Sequence, residues 1–262
     1  MKINLKGLHA VVGGGSRGLG YACAWQLASC GARVTLMARN ENNLQKALAE
    51  LPADDGQEHH FLAVDYYDTE GLKKKTDAYF AERPIDILVN NTNGPAAGTV
   101  LEKNLEDYQA AFDLLFKSYH RMAHLALDGM KKRGYGRIIN VSSISVKEPI
   151  RDLVLSNTIR TAVISWAKCL AREVAPFGIT VNSVLTGSFD TERIEEVMEA
   201  QSKSSGVPMD DLLKQKNERI PAGRLGRPEE YGYLVSFLAS PFAAYINGAN
   251  IPIDGGYLRS VS

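Results

Sequence analysis

The sequence predicts a single α/β domain: a doubly wound sheet of about seven parallel strands with helices on both faces. Three observations lead there. Short apolar runs rich in β-branched residues alternate with amphipathic helical patterns along the chain. The runs are apolar almost throughout, as strands buried on both faces require. No repeat, low-complexity tract or linker divides the 262 residues, so 1–262 reads as one domain with a large core.

In chain order, strands are expected at 9–13, 33–38, 61–64, 85–90, 137–142, 179–184 and 250–253. The helical pattern at 41–51 carries Leu44, Leu48 and Leu51 on one side. Asn40 and Asp68 suit helix N-caps, Pro228 a first helical position, and Gly31 and Gly134 helix ends. Right-handed crossovers place the ligand crevice at the carboxyl ends of the strands. Residues 190–217 break the rhythm, being charged, loosely periodic and interrupted by Ser204-Ser205-Gly206 and Pro208. Following the sixth strand, they are expected as a helical flap over the crevice mouth, a solvated excursion being the plain alternative.

Formal charge is zero, so no basic footprint points to nucleic acid or an anionic membrane. The start, Met1-Lys2-Ile3-Asn4-Leu5-Lys6, is too short and polar for a signal peptide, and no apolar run has membrane-spanning length. Cys23, Cys30 and Cys169 show no metal-ligand spacing. The expectation is a cytoplasmic protein without a metal.

The stretch Val11-Val12-Gly13-Gly14-Gly15-Ser16-Arg17-Gly18-Leu19-Gly20 joins the first strand to the first helix. Glycines at 14, 18 and 20 allow a tight turn and close approach of the backbone to a pyrophosphate, whose charge meets open N–H groups of the helix. A G-x-G-x-x-G spacing alone also fits a surface turn. Here the strand–turn–helix context favours a dinucleotide. After the second strand, an acidic residue would read a free ribose 2′-hydroxyl, whereas arginine accommodates a 2′-phosphate. Arg39 stands there, followed by Asn40, and Arg17 lies in the glycine turn. Two guanidiniums from adjacent loops are expected to clamp that phosphate, so the cofactor expected is NADP(H). Asp65, ending the third strand, is placed to accept from the adenine amino group.

The chain resembles the short-chain dehydrogenase/reductase family, most nearly its 3-oxoacyl-acyl-carrier-protein reductase-like branch. The residues that carry the resemblance are the glycine turn, Asp65, Val89-Asn90-Asn91, Ile139-Asn140-Val141-Ser142-Ser143, Gly178-Ile179-Thr180-Val181-Asn182, Gly223-Arg224-Leu225-Gly226 and Asp254-Gly255-Gly256. The resemblance implies a Rossmann-like sheet, hydride transfer to or from a carbonyl or alcohol substrate, and a homotetramer. It also implies cofactor contacts at Ser16, Leu19, Tyr66, Asn91 and Thr92, and near the carboxamide at Gly187, Phe189 and Thr191.

The family supplies its proton from a tyrosine whose phenol is made more acidic by a lysine one helical turn later. A serine orients the carbonyl, and an asparagine supports a water relay. Ser143 fills the serine position. The tyrosine position is Ser156, the lysine position Arg160 and the asparagine position Leu115, with no Tyr-x-x-x-Lys between Ser143 and Pro176. Ser156 and Arg160 share one helix face. A guanidinium can hold an alkoxide or ribose hydroxyls but is a poor proton donor, so Ser143, Ser156 and Arg160 form a weakened catalytic set, with Arg160 also touching the cofactor. A matched acid is worth roughly 10²–10⁴ in rate. Lys147, Glu148 and Tyr119 are candidate substitutes, Tyr119 reading more readily as core. His120 and His124, at ligand spacing but without a third ligand, read as surface residues. Three functions stay open: an oxidoreductase with a rearranged acid, a non-catalytic NADP(H)-binding sensor or structural partner, and elimination or isomerisation on the same scaffold.

Overall fold

The computed structural model describes residues 2–54 and 56–261. The reading of 1–262 as one domain also takes in Met1, Asp55 and Ser262, which lie outside the described residues. Seven strands form one sheet: β1 (His9–Gly13), β2 (Arg33–Ala38), β3 (His60–Ala63), β4 (Ile87–Asn90), β5 (Gly136–Ser143), β6 (Ile179–Thr186) and β7 (Asn250–Ile253). Their order is β3-β2-β1-β4-β5-β6-β7, every pair parallel. The winding reverses between β1 and β4, where such sheets open their ligand crevice.

Alternate residues of each strand serve opposite faces, and both faces are covered. Ala10, Val12, Val89 and Val141 belong to the core beneath α1 (Gly18–Ser29), α2 (Glu41–Ala49) and α9 (Pro228–Leu238). Val11, Leu88, Ile138 and Val181 belong to the opposite core, with α3 (Thr69–Phe80), α5 (Ser118–Arg133) and α6 (Val154–Val174). Burying such a side chain stabilises the fold by about 1.5–3 kcal/mol, which is why the strands read as unbroken apolar runs.

The expected caps form. Asn40 Oδ1 accepts from Asn43 N, Asp68 Oδ1 from Gly71 N, Pro228 opens α9, and Gly134 closes α5 at φ 66°. Strand ends differ by a residue or two from expectation. β4 starts at Ile87; Asp86 just before it still bonds to both neighbouring strands through its backbone, while its carboxylate accepts from His9 N at 2.8 Å and pairs with Arg133 at 2.7 Å. The fourth helical segment is two helices, α4 (Leu105–Phe112) and α5, joined by a π-helical turn at Asp113–Lys117 that contains Leu115. Residues 190–217 fall almost wholly in α7 (Glu192–Ser205) and α8 (Met209–Glu218), broken where Gly206 adopts φ 73° ahead of Pro208. Among the described residues no helix is long and apolar enough to cross a membrane.

Candidate functional site

The glycine turn owes its shape to close backbone packing. A Cβ on Gly20 would lie 2.1 Å from Gly14 O, and one on Gly13 would lie 2.2 Å from Asn91 O. Gly14 and Gly18 occupy the left-handed region at φ 56° and 55°, which glycine alone adopts without strain. Asn91 at the end of β4 locks the turn, its Nδ2 donating to Gly13 O at 3.0 Å. Ser16 is half-buried within it. Helix α1 then starts at Gly18 with no side-chain cap and no acidic residue in its first turn. Its first N–H groups therefore lack a side-chain acceptor and favour an anion.

These groups border a cleft of about 400 Å³. Of the residues expected from the sequence, Gly14, Arg17, Gly18, Leu19, Gly20, Asn91, Thr92, Gly187, Phe189 and Thr191 line it. Tyr67, Asn93, Gly94 and Thr186 line it too, and from the segment expected over the crevice mouth come Glu192, Arg193, Ile194 and Glu196. Most of the first four adjoin a motif residue, which was the only signal available for them. For α7 the charged, loosely periodic pattern pointed to the crevice mouth but not to which side chains reach the cleft.

At the adenosine end, Arg39 is exposed and its Nη1 lies 4.0 Å from Asp65 Oδ2. Asn40 is occupied as the α2 cap, and Asp65 Oδ1 accepts from Tyr67 N at 3.0 Å. Tyr66 lies beneath the turn, its hydroxyl 2.8 Å from where a Gly13 Cβ would sit, and burial pushes its phenol well up. The exposed Tyr67 is the tyrosine on the cleft wall. The two arginines expected to clamp one phosphate have different partners. Arg17 Nη1 crosses to α7, donating to Glu192 Oε2 at 2.7 Å and Glu196 Oε1 at 3.1 Å.

At the other end, Gly187 packs so tightly that a Cβ would meet Asp254 Cα at 2.6 Å. The Phe189 ring is buried edge-on to Tyr231 at 5.4 Å, so at this position only backbone can meet a ligand. Thr191 lies across the cleft from Gly18, its Cγ2 3.7 Å from where a Gly18 Cβ would sit. Thr186 Oγ1 donates to the buried Tyr231 hydroxyl at 3.0 Å.

Ser143 ends β5 beside Thr186 of β6, and its Oγ accepts from Ser145 N at 3.1 Å. One helix away, Arg160 is 8% exposed; its Nε donates to Ser156 Oγ at 3.2 Å and its Nη1 to Val141 O at 2.6 Å. The Tyr119 hydroxyl donates to the same carbonyl at 3.1 Å. Burial raises the Tyr119 phenol, with Arg160 opposing, so this tyrosine is both a core residue and a neighbour of the guanidinium. Leu115 is fully buried against Leu155 and Ile159. The walls of the cleft stop short of Ser143, Ser156 and Arg160. Glu148 is committed elsewhere, its Oε1 accepting from Arg259 N at 2.8 Å and Ser260 N at 2.9 Å, and these bonds hold its carboxyl below the usual range. The rings of His120 and His124 stack at 4.0 Å, and among the described residues no group of three His, Cys, Asp or Glu side chains could hold a metal.

A family model described as enoyl-(acyl carrier protein) reductase matches residues 14–258. The chain is 34% identical to 3-oxoacyl-[acyl-carrier-protein] reductase FabG of Vibrio cholerae, over 97% of this chain and 98% of that protein. It is 30% identical to the NADPH-dependent reductase BacG of Bacillus subtilis, over 96% and 98% of the two chains. The crystal structure of L-sorbose reductase from Gluconobacter frateurii complexed with NADPH and L-sorbose superposes with a TM-score of 0.93 at 30% identity, covering 100% of each chain. The chain belongs to the short-chain dehydrogenase/reductase family. The family's seven-stranded Rossmann-like domain is the fold described above. Within this short-chain dehydrogenase/reductase the glycine turn stands at the expected crevice, while the Ser156–Arg160 pair is turned toward the backbone of β5.

Proposed function

We propose that the protein is an NADP(H)-dependent oxidoreductase acting on a carbonyl or alcohol substrate, of the 3-oxoacyl-reductase type. The observation that carries this reading is the uncapped start of α1 at Gly18, bordering the cleft at the reversal point of the sheet. Gly14, Ser16, Gly18, Leu19 and Gly20 would hold the pyrophosphate through backbone N–H groups. Arg39, with Asn40 beside it, reads the 2′-phosphate. Asp65 and Tyr66 border the adenine side, and Asn91, Thr92, Gly187, Phe189 and Thr191 the nicotinamide side. NADPH, when bound, supplies the hydride. Ser143 orients the carbonyl, and Arg160, steadied by Ser156, offsets charge developing on its oxygen. The three free cysteines among the described residues suit a reducing cytoplasmic setting, and a homotetramer is the proposed assembly.

The arrangement of Arg160 favours one alternative, a protein that binds NADP(H) without transferring hydride. Its guanidinium is spent on Val141 O and Ser156 Oγ, and the walls of the cleft do not reach it. Following NADPH absorbance across a panel of 3-oxoacyl thioesters, ketoses and aldehydes separates the two. Turnover that falls with Arg160→Ala supports the oxidoreductase; tight NADPH binding without oxidation across the panel supports the binding protein.

A further inference from the structure

We propose that Glu192 and Glu196 set the strength of cofactor binding by competing with a cofactor phosphate for Arg17. The inference rests on the NADP(H) reading above and adds to it a part played by the flap helix. Arg17 is the residue before the first turn of α1, and 175 residues separate it from Glu192. A single nitrogen, Nη1, donates to both carboxylates, at 2.7 and 3.1 Å. Glu192 and Glu196 stand one turn apart at the start of α7, so both meet the same guanidinium. All three side chains line the cleft with Gly14, Gly18 and Thr191.

Two carboxylates on the wall of the cleft occupy the cation that a phosphate ligand would use. The fork of Arg17 is better matched to a phosphate than to two separate carboxylates, each contributing one oxygen. Phosphate binding therefore detaches Glu192 and Glu196 from Arg17 and frees the first turn of α7 from the glycine turn. The side chains are about half exposed, at 51%, 61% and 47% for Arg17, Glu192 and Glu196, so each pair is of the weak, solvent-screened kind. Exposed pairs of this strength, taken together, hold affinity back by about 2- to 30-fold. That is enough to tune binding without abolishing it.

The test is fluorescence titration of NADPH and NADH into the full chain, its E192Q/E196Q variant, R17A, and the triple variant. E192Q/E196Q is expected to bind NADPH more tightly by about 2- to 30-fold. In the R17A background the same two substitutions are expected to change affinity by less than about 2-fold, because the contested guanidinium has gone. A gain confined to NADPH identifies the 2′-phosphate as the competitor; an equal gain with NADH identifies the pyrophosphate. Hydrogen exchange over 192–197 is expected to quicken when NADPH binds the unaltered chain, and to be quick from the start in E192Q/E196Q. Unchanged or weaker binding by E192Q/E196Q overturns the proposal, as does an equal gain in the R17A background, which would mean plain repulsion. Failure of the unaltered chain to bind either dinucleotide refutes the cofactor reading instead.

Discussion

Replacing Gly20 by alanine sets two known effects against each other. Gly20 lies inside α1, and alanine is favoured there over glycine by about 0.8–1 kcal/mol. The new methyl, however, would sit 2.1 Å from Gly14 O, 2.6 Å from Gly14 C and 2.9 Å from Asn91 Nδ2. Two of these atoms are backbone of the glycine turn and cannot swing aside as a flexible side chain would. The turn must shift by about 1 Å to restore contact distance, and overpacking of this kind costs about 1–3 kcal/mol. The clash wins, leaving a net loss of about 0–2 kcal/mol, or a fall in Tm of no more than a few degrees for a chain of this size. Cofactor binding suffers far more. The displaced N–H groups form charge-assisted bonds worth about 1.5–3 kcal/mol each, so losing one raises the NADPH Kd by roughly 10- to 100-fold. Fluorescence titration beside thermal unfolding separates the two losses. Unchanged affinity in a folded Gly20→Ala variant would refute the assignment of this turn to the cofactor.

Three further outcomes follow from other parts of the molecule. His9 is buried beneath the sheet between Pro84 O and Thr35 Oγ1, and desolvation lowers its pKa from 6.5 to about 4 against the opposing bond to Pro84. The unfolded chain takes up the proton first, so this stabilisation is complete above pH 6.5 and is lost as pH falls toward 4, about 3 kcal/mol in all and about 2 kcal/mol by pH 5. Urea unfolding at pH 7.5 and 5 should show His9→Gln losing about 2 kcal/mol less than the parent between the two; equal losses contradict the neutral buried imidazole. Combining Ser156→Tyr with Arg160→Lys should raise NADPH oxidation by a 3-oxoacyl thioester by roughly 10²–10⁴, the value of a matched acid, and no gain would mean that the missing phenol is not what limits the site. Glu148→Gln should speed amide exchange at Arg259 and Ser260 without altering NADPH binding, whereas a loss of binding would place Glu148 in the site.

Local pattern was enough for most of the scaffold. Apolar runs marked the strands, most plainly the central five, which are buried almost throughout while β3 and β7 at the sheet edges are only partly so, and Asn40, Asp68 and Pro228 marked helix starts because a cap acts within three or four residues. The glycine turn was legible from its glycine spacing within ten residues of chain, although Asn91 locks it from the end of β4. Long side chains were not. Arg17 looked like a partner for Arg39, yet its reach allows other partners, and α7 brings two carboxylates to it from far along the chain. Spacing placed Arg160 on the face of Ser156 but could not reveal that Val141 O would take its other nitrogen, or that Tyr119 would share that carbonyl. Tyr66 and Tyr67 differ by one residue, and the resemblance named Tyr66, whose hydroxyl sits against the glycine turn, and passed over Tyr67 on the cleft wall. The Thr186–Tyr231 bond joins the end of β6 to α9, and only the packed fold brings them together.

Everything functional in this account depends on the cleft beside α1 receiving a phosphorylated nicotinamide dinucleotide. Isothermal titration of the full chain with NADPH and, separately, NADH measures that directly. Saturable one-site binding of NADPH is expected, tighter than NADH by the contribution of Arg39 and weakened roughly 10- to 100-fold by Gly20→Ala. Absence of binding heat with both dinucleotides, or a clear preference for NADH, would contradict it.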